Sequence, residues 1–140
     1  MIAYFDTSAF IKLLIAEKGS DEARRYWQTV DQVASCELLL IESTATLVRA
    51  KKAQRISSAT YVSALKLLDD LYQRMNIVGI STEIIAWACA LSKTEQLKSA
   101  DAVHLAAAQT LNAQVFIGSD KDLCLAASRQ GMTVLNPELS

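Results

Sequence analysis

Little in this sequence is built to break a chain. Its 140 residues include one proline and four glycines, too few for a collagen-like repeat or a disordered, low-complexity segment. Cysteine is scarce too. Cys36, Cys89 and Cys124 are odd in number and none belongs to a CxxC pair, which argues against a disulfide framework. All three stand among apolar neighbours and are expected as buried, reduced thiols rather than metal or catalytic groups. No excess of positive charge is present: 14 Lys and Arg stand against 15 Asp and Glu, for a net charge of −1. The whole surface is therefore not a basic nucleic-acid binder, and any such binding has to come from a local patch or a metal ion. Long apolar runs are missing as well. Met1 to Ala16 is rich in apolar residues, but Asp6 and Lys12 interrupt it and no basic segment precedes it, so it reads neither as a signal peptide nor as a membrane span. A cytoplasmic protein is expected. The absence of a GxGxxG or Walker-type loop weakens a nucleotide-binding module.

What the chain has in quantity is apolar side chain, 51% hydrophobic against 21% charged. That suffices for one domain with a proper core over residues 1–140. Strand-like runs alternate with helical periods. Ile2 to Phe5, Gln32 to Cys36, Ile77 to Ile80, Gln114 to Ile117 and Thr133 to Leu135 read as five short strands. Between them, helical spacing covers Ser8 to Ala16, Asp21 to about Thr29, Glu37 to Gln54, Ser58 to about Met75, Thr82 to Leu97, Ala100 to Leu111 and Asp122 to Gln130. Ser20, Ser57 or Ser58, and Ser99 are suited to cap helices, and Gly131 to end the last one. Alternation of this kind predicts an α/β fold, a three-layer α/β/α sandwich around a mainly parallel five-stranded sheet.

Four carboxylates stand out against that pattern. Asp6 closes the first strand, Glu42 lies inside Leu38-Leu39-Leu40-Ile41-Glu42-Ser43, Asp101 opens an alanine-rich run, and Asp120 follows the fourth strand. An ionised carboxylate near a core is costly unless something positive meets it. In open α/β sheets, ligands collect beyond the C-terminal ends of strands. If the first and fourth strands are neighbours, about 4.8 Å apart, Asp6 and Asp120 fall side by side. Glu42 and Asp101, each near a helix start, can face the same crevice. Such a group of acids would repel itself, and a divalent metal would relieve the repulsion, which is the outline of a metal-dependent phosphodiesterase site. Singly, each acid also has a structural explanation: Asp6 and Asp120 as turn or cap residues, Asp101 as a favourable charge at a helix N-terminus, Glu42 as a solvated helix residue.

Three segments resemble a known family. Asp6-Thr7-Ser8-Ala9-Phe10-Ile11-Lys12 looks like the opening of PIN-domain proteins of the VapC toxin type. Leu97-Lys98-Ser99-Ala100-Asp101-Ala102-Val103-His104-Leu105-Ala106-Ala107-Ala108 is similar to that family's most recognisable stretch, and Phe116-Ile117-Gly118-Ser119-Asp120-Lys121-Asp122-Leu123 to its closing motif. The resemblance spans essentially the whole chain. It implies a PIN-like Mg²⁺- or Mn²⁺-dependent endoribonuclease, with Asp6, Glu42, Asp101 and Asp120 as the catalytic and metal-holding set and Ser8 hydrogen-bonded to Asp6. It also implies an RNA substrate, a cognate antitoxin that reaches into the acidic site, and a homodimer. A general RNA-processing nuclease and a catalytically silent, protein-binding PIN module share the same motifs. The family often has Thr where this chain has Gly118, and on that basis Gly118→Thr is expected to keep or raise activity, with Ser119 standing in here; Asp122 is an alternative to Asp120. His104, the only histidine, is expected to pack behind the site rather than act as a base. Lys12, Arg49, Lys52, Lys98 and Lys121 are candidate phosphate contacts, and Trp27, Trp87, Tyr61 and Tyr72 fit helical periods as core or interface residues.

Overall fold

The computed structural model describes residues 1–139. Its elements alternate as the sequence predicts: β1 (Ile2–Phe5), α1 (Thr7–Leu14), α2 (Ser20–Thr29), β2 (Gln32–Cys36), α3 (Leu38–Lys52), α4 (Ser58–Gln73), β3 (Asn76–Val78), α5 (Thr82–Glu95), α6 (Ser99–Thr110), β4 (Val115–Ile117), α7 (Lys121–Arg129) and β5 (Thr133–Leu135). The five strands form one sheet in the order β3-β2-β1-β4-β5, and every pairing is parallel. With every pairing parallel, every strand delivers its C-terminal end to the same edge; β1 is central, and the register Phe5↔Ile117 places Asp6 beside the exit of β4.

Period-two alternation in β1 divides the core. Tyr4 points into a layer shared with α5, α6 and α7, where it stacks on Phe116 at 5.6 Å. Ala3 and Phe5 point the other way, toward α1 and α4 with Leu39 and Leu47 of α3. Helices on both faces explain why the strands read as continuous apolar runs rather than alternating ones.

The caps differ in detail from the sequence reading. Ser57 caps α4 by accepting from the Thr60 amide at 3.0 Å. Ser20, by contrast, is the first residue of α2, and Gly19, in the left-handed region at φ 89°, holds the cap position. Lys98 rather than Ser99 sits at the cap of α6, with no side-chain bond. Gly131 follows the end of α7 with φ 91°, the left-handed conformation that closes helices. Cys36 and Cys124 are buried free thiols, whereas Cys89 is exposed, because it lies on the outer side of α5. Trp87, on the same helix, is 44% exposed and donates its indole N–H to Gln109 of α6. No helix among the described residues is long and apolar enough to cross a membrane.

Candidate active site

Asp6 is where the sheet turns into a helix. Its amide bonds back to Ile117 O at 3.0 Å, continuing the β1–β4 ladder. Its Oδ1 accepts from the Ser8 hydroxyl at 2.7 Å and from the Ala9 amide at 3.0 Å, so one carboxylate oxygen caps α1. The other, Oδ2, receives no hydrogen bond from the described residues and is directed at Gly118. A Cβ on Gly118 would stand 2.6 Å from Oδ2 and 2.9 Å from Cγ. With Asp6 only 2% exposed, burial pushes its carboxyl up to about 6 against the pull of His104 and of the Ser8 and Ala9 hydrogen bonds, with Asp101 adding a smaller upward push.

Asp120 caps α7 through Oδ1, which accepts from the Leu123 amide at 2.9 Å. Glu42, on the second turn of α3, is fixed by two donors on one oxygen: the Thr7 hydroxyl at 2.6 Å and His104 Nε2 at 2.7 Å. Burial would raise its carboxyl, but the His104 and Thr7 hydrogen bonds and the His104 charge hold it below the usual range. His104 itself is 2% exposed and is held from behind, with Nδ1 2.8 Å from the Tyr4 hydroxyl and 3.8 Å from Cys36 Sγ. Burial opposes a charge on this ring. Hydrogen bonds to Cys36 and Glu42 and the negative fields of Cys36 and Asp6 outweigh it and push the imidazole up to about 10. A column of polar groups thus runs from Tyr4 in the core to Glu42 at the edge.

Asp101, in the first turn of α6, is half-buried and accepts no hydrogen bond from the described residues. Burial raises its carboxyl first and the negative charge of Asp120 second, while His104 and Lys98 pull it down and Glu42 pushes it further up. The four acids named from the sequence therefore lie along the C-terminal edge of the sheet, with Asp101 within electrostatic reach of Asp6, Glu42 and Asp120.

Among the described residues, no three His, Cys, Asp or Glu side chains are gathered closely enough to hold a metal by themselves. Yet Asp6 Oδ2 and both oxygens of Asp101 lack hydrogen-bond donors, and the group carries more negative charge than His104 and Lys98 offset. Hard oxygens of this kind fit an ion that keeps several of its waters and takes one or two carboxylates, the usual habit of Mg²⁺.

Several expectations need correction. Lys12 is no phosphate contact: it is 4% exposed and pairs with Glu17 at 2.9 Å and Glu138 at 3.1 Å. Gly118 is no vacancy awaiting a threonine, since any side chain there collides with Asp6. The column through Tyr4, Cys36, His104 and Thr7 was invisible to the sequence reading as a unit. Its one available signal was the Asp101/His104 spacing, which sets both on one helical face.

Comparison with known proteins shows the family of the chain. The PIN domain family profile matches residues 3–128. Ribonuclease VapC45 of Mycobacterium tuberculosis (strain CDC 1551 / Oshkosh) is 33% identical over 107 residues, covering 76% of this chain and 74% of that protein. Ribonuclease VapC46 of M. tuberculosis (strain ATCC 25618 / H37Rv) is 29% identical over 136 residues, 96% of each. Among solved structures, a toxin-antitoxin complex from Klebsiella pneumoniae superposes with a TM-score of 0.70 at 27% identity, covering 96% of this chain and 97% of that one.

Proposed function

From the premise that this chain belongs to the PIN domain family, we propose that it is a metal-dependent endoribonuclease hydrolysing RNA phosphodiester bonds, the toxin of a type II toxin–antitoxin pair. Its catalytic and metal-holding set is Asp6, Glu42, Asp101 and Asp120, of which one or two would contact the ion directly and the others through its waters. The observation that carries the reading is the unbalanced charge at one sheet edge: a buried Asp6 raised to about 6 with a free Oδ2 and Asp101 adding to its upward shift, while Asp101 in turn feels Asp120 and Glu42. Folding alone gains nothing from that arrangement, and perturbed groups of this kind cluster at functional sites.

Each residue has a distinct part. Asp6 is locked by Ser8 and Ala9, so its free oxygen is aimed without loss of rotamer entropy. Asp101 offers two oxygens that no donor among the described residues engages. Glu42 is oriented and kept ionised by Thr7 and His104. Asp120 is fixed by the turn it caps. His104 is a positioning residue: its Nε2 is engaged by Glu42 and its Nδ1 by Tyr4, so neither nitrogen is available to take a proton from water. Mg²⁺ or Mn²⁺ held among these oxygens would supply an activated water and neutralise charge on the scissile phosphate. A cognate antitoxin, a homodimeric state and a cytoplasmic setting belong to the same reading; support for the antitoxin is the Klebsiella relative, whose structure is a toxin-antitoxin complex.

The test is cleavage of total RNA by purified protein with and without Mg²⁺, wild type against Asp101→Asn. Wild type should cleave only with the metal. Asp101→Asn should retain its fold and lose roughly 10³-fold or more in rate, the scale of removing one preorganised charge partner. Cleavage that survives either chelation or the substitution would overturn the assignment.

A further inference from the structure

Beside the acidic edge runs a groove of about 340 Å³ lined by Thr7, Ile41, Glu42, Ala45, Thr46 and Arg49. Glu42, Ala45, Thr46 and Arg49 are spaced i, i+3, i+4 and i+7, so α3 presents them as one face. The groove shares Thr7 and Glu42 with the acid cluster and ends at a cation. Arg49 Nη2 donates to Thr46 Oγ1 at 3.2 Å, and that hydroxyl donates in turn to Glu42 O at 2.8 Å. The guanidinium is thus laid along the helix toward the acids, and no carboxylate pairs with it among the described residues. Arg24, Arg25 and Arg129 each hold an acid, whereas Arg55 and Arg74, like Arg49, pair with none among the described residues; of these three, Arg49 alone lines the groove. Ile41, 62% exposed, gives the groove an apolar wall.

We propose that this groove seats the RNA strand flanking the scissile bond, with Arg49 binding a neighbouring phosphate and Ile41 lying against a ribose or base. The proposal rests on the nuclease reading above. A polyanionic strand gains from one neutralised phosphate at the acids but is repelled by the remaining carboxylates. The backbone of Arg49 lies about 10 Å along α3 from that of Glu42, at 1.5 Å per residue, and its guanidinium, folded back to Thr46, offsets that repulsion for the next part of the strand. Arginine is suited to the task because its fork of donors matches phosphate oxygens.

The experiment uses cleavage-silenced Asp101→Asn protein with a labelled single-stranded RNA oligonucleotide, at fixed Mg²⁺ and several KCl concentrations, read by fluorescence anisotropy. Adding Arg49→Ala should weaken binding about five-fold at low salt and reduce the salt slope by about 0.7, the loss of one phosphate contact on a single strand. Arg49→Lys should recover most of the slope. Thermal melting should not change, because Arg49 is exposed. If RNA binds the parent but Arg49→Ala leaves both affinity and slope unchanged, the groove assignment fails while the nuclease reading stands. If the parent binds no RNA and wild type cleaves none, the nuclease reading fails and the groove falls with it.

Discussion

Two places in this protein bury charge, and they treat it in opposite ways. Lys12, beneath the α1–α2 turn, is nearly inaccessible but meets two carboxylates, Glu17 and Glu138. Its charge is more than answered, and it ties α1 to the chain's last described residues. Asp6, six residues earlier, is as deeply buried and meets no cation at hydrogen-bond distance. Its neighbours along the sheet edge are more acids. A balanced buried charge stabilises a fold at best modestly, but it does not cost the fold. An unbalanced one does, and a sequence keeps it only where something outside the chain completes it.

The sharpest way to break this contrast is to fill the space that Asp6 occupies. Gly118→Thr puts a Cβ 2.6 Å from Oδ2, and Oδ1 cannot yield without giving up the cap of α1. Cleavage should fall about 100-fold, as expected for a displaced reacting group, and steady-state rates on RNA would show it. Unchanged rates would mean that the exact seat of Asp6 is unimportant.

Next in size is Asp6→Asn, which removes the unbalanced charge but keeps a capping oxygen, since Asn caps as well as Asp. The unfolded carboxyl ionises near 3.8 and the folded one near 6. Stability from this group is therefore greatest below pH 3.8 and lost as pH rises through 6. At pH 7 the ionised native form costs roughly 2–3 kcal/mol. Asp6→Asn should raise the urea unfolding free energy of metal-free protein by about that much at pH 7, and by almost nothing at pH 4, while abolishing cleavage. A loss of stability at pH 7 would contradict the burial argument.

Smallest is Lys12→Met on the balanced side. Stability should drop by about 2 kcal/mol, less than for a fully enclosed pair because Glu17 and Glu138 are partly solvated. Cleavage per folded molecule should hold. A rate that falls further than the folded fraction would make the Lys12 cluster part of the site.

The strands and their helices were legible because the chain alternates without ambiguity and has few breakers. Gathering four acids at one edge followed from a parallel sheet with β1 beside β4. What the sequence concealed was partnership. Lys12 follows the Asp6 motif and looked available, but Glu138 reaches it from the far end of the chain. Gly118 looked like a missing threonine because a collision with Asp6 is a fact of three dimensions. Cys89 read as buried from its apolar neighbours, yet α5 turns it outward. Helix caps missed by one residue at α2 and α6, where backbone geometry rather than a hydroxyl ends the turn.

The central place of β1 has a consequence for how the protein comes off the ribosome. Asp6 is synthesised first, but its amide partner Ile117, the glycine that leaves it room and the acid beside it lie more than 110 residues later. Pairing at such separation is slow and late. A nascent or truncated chain lacking β4 carries Asp6, Glu42 and Asp101 but neither Asp120 nor the strand whose exit seats Asp6. Synthesis therefore has to be nearly complete before the edge that gathers these acids exists.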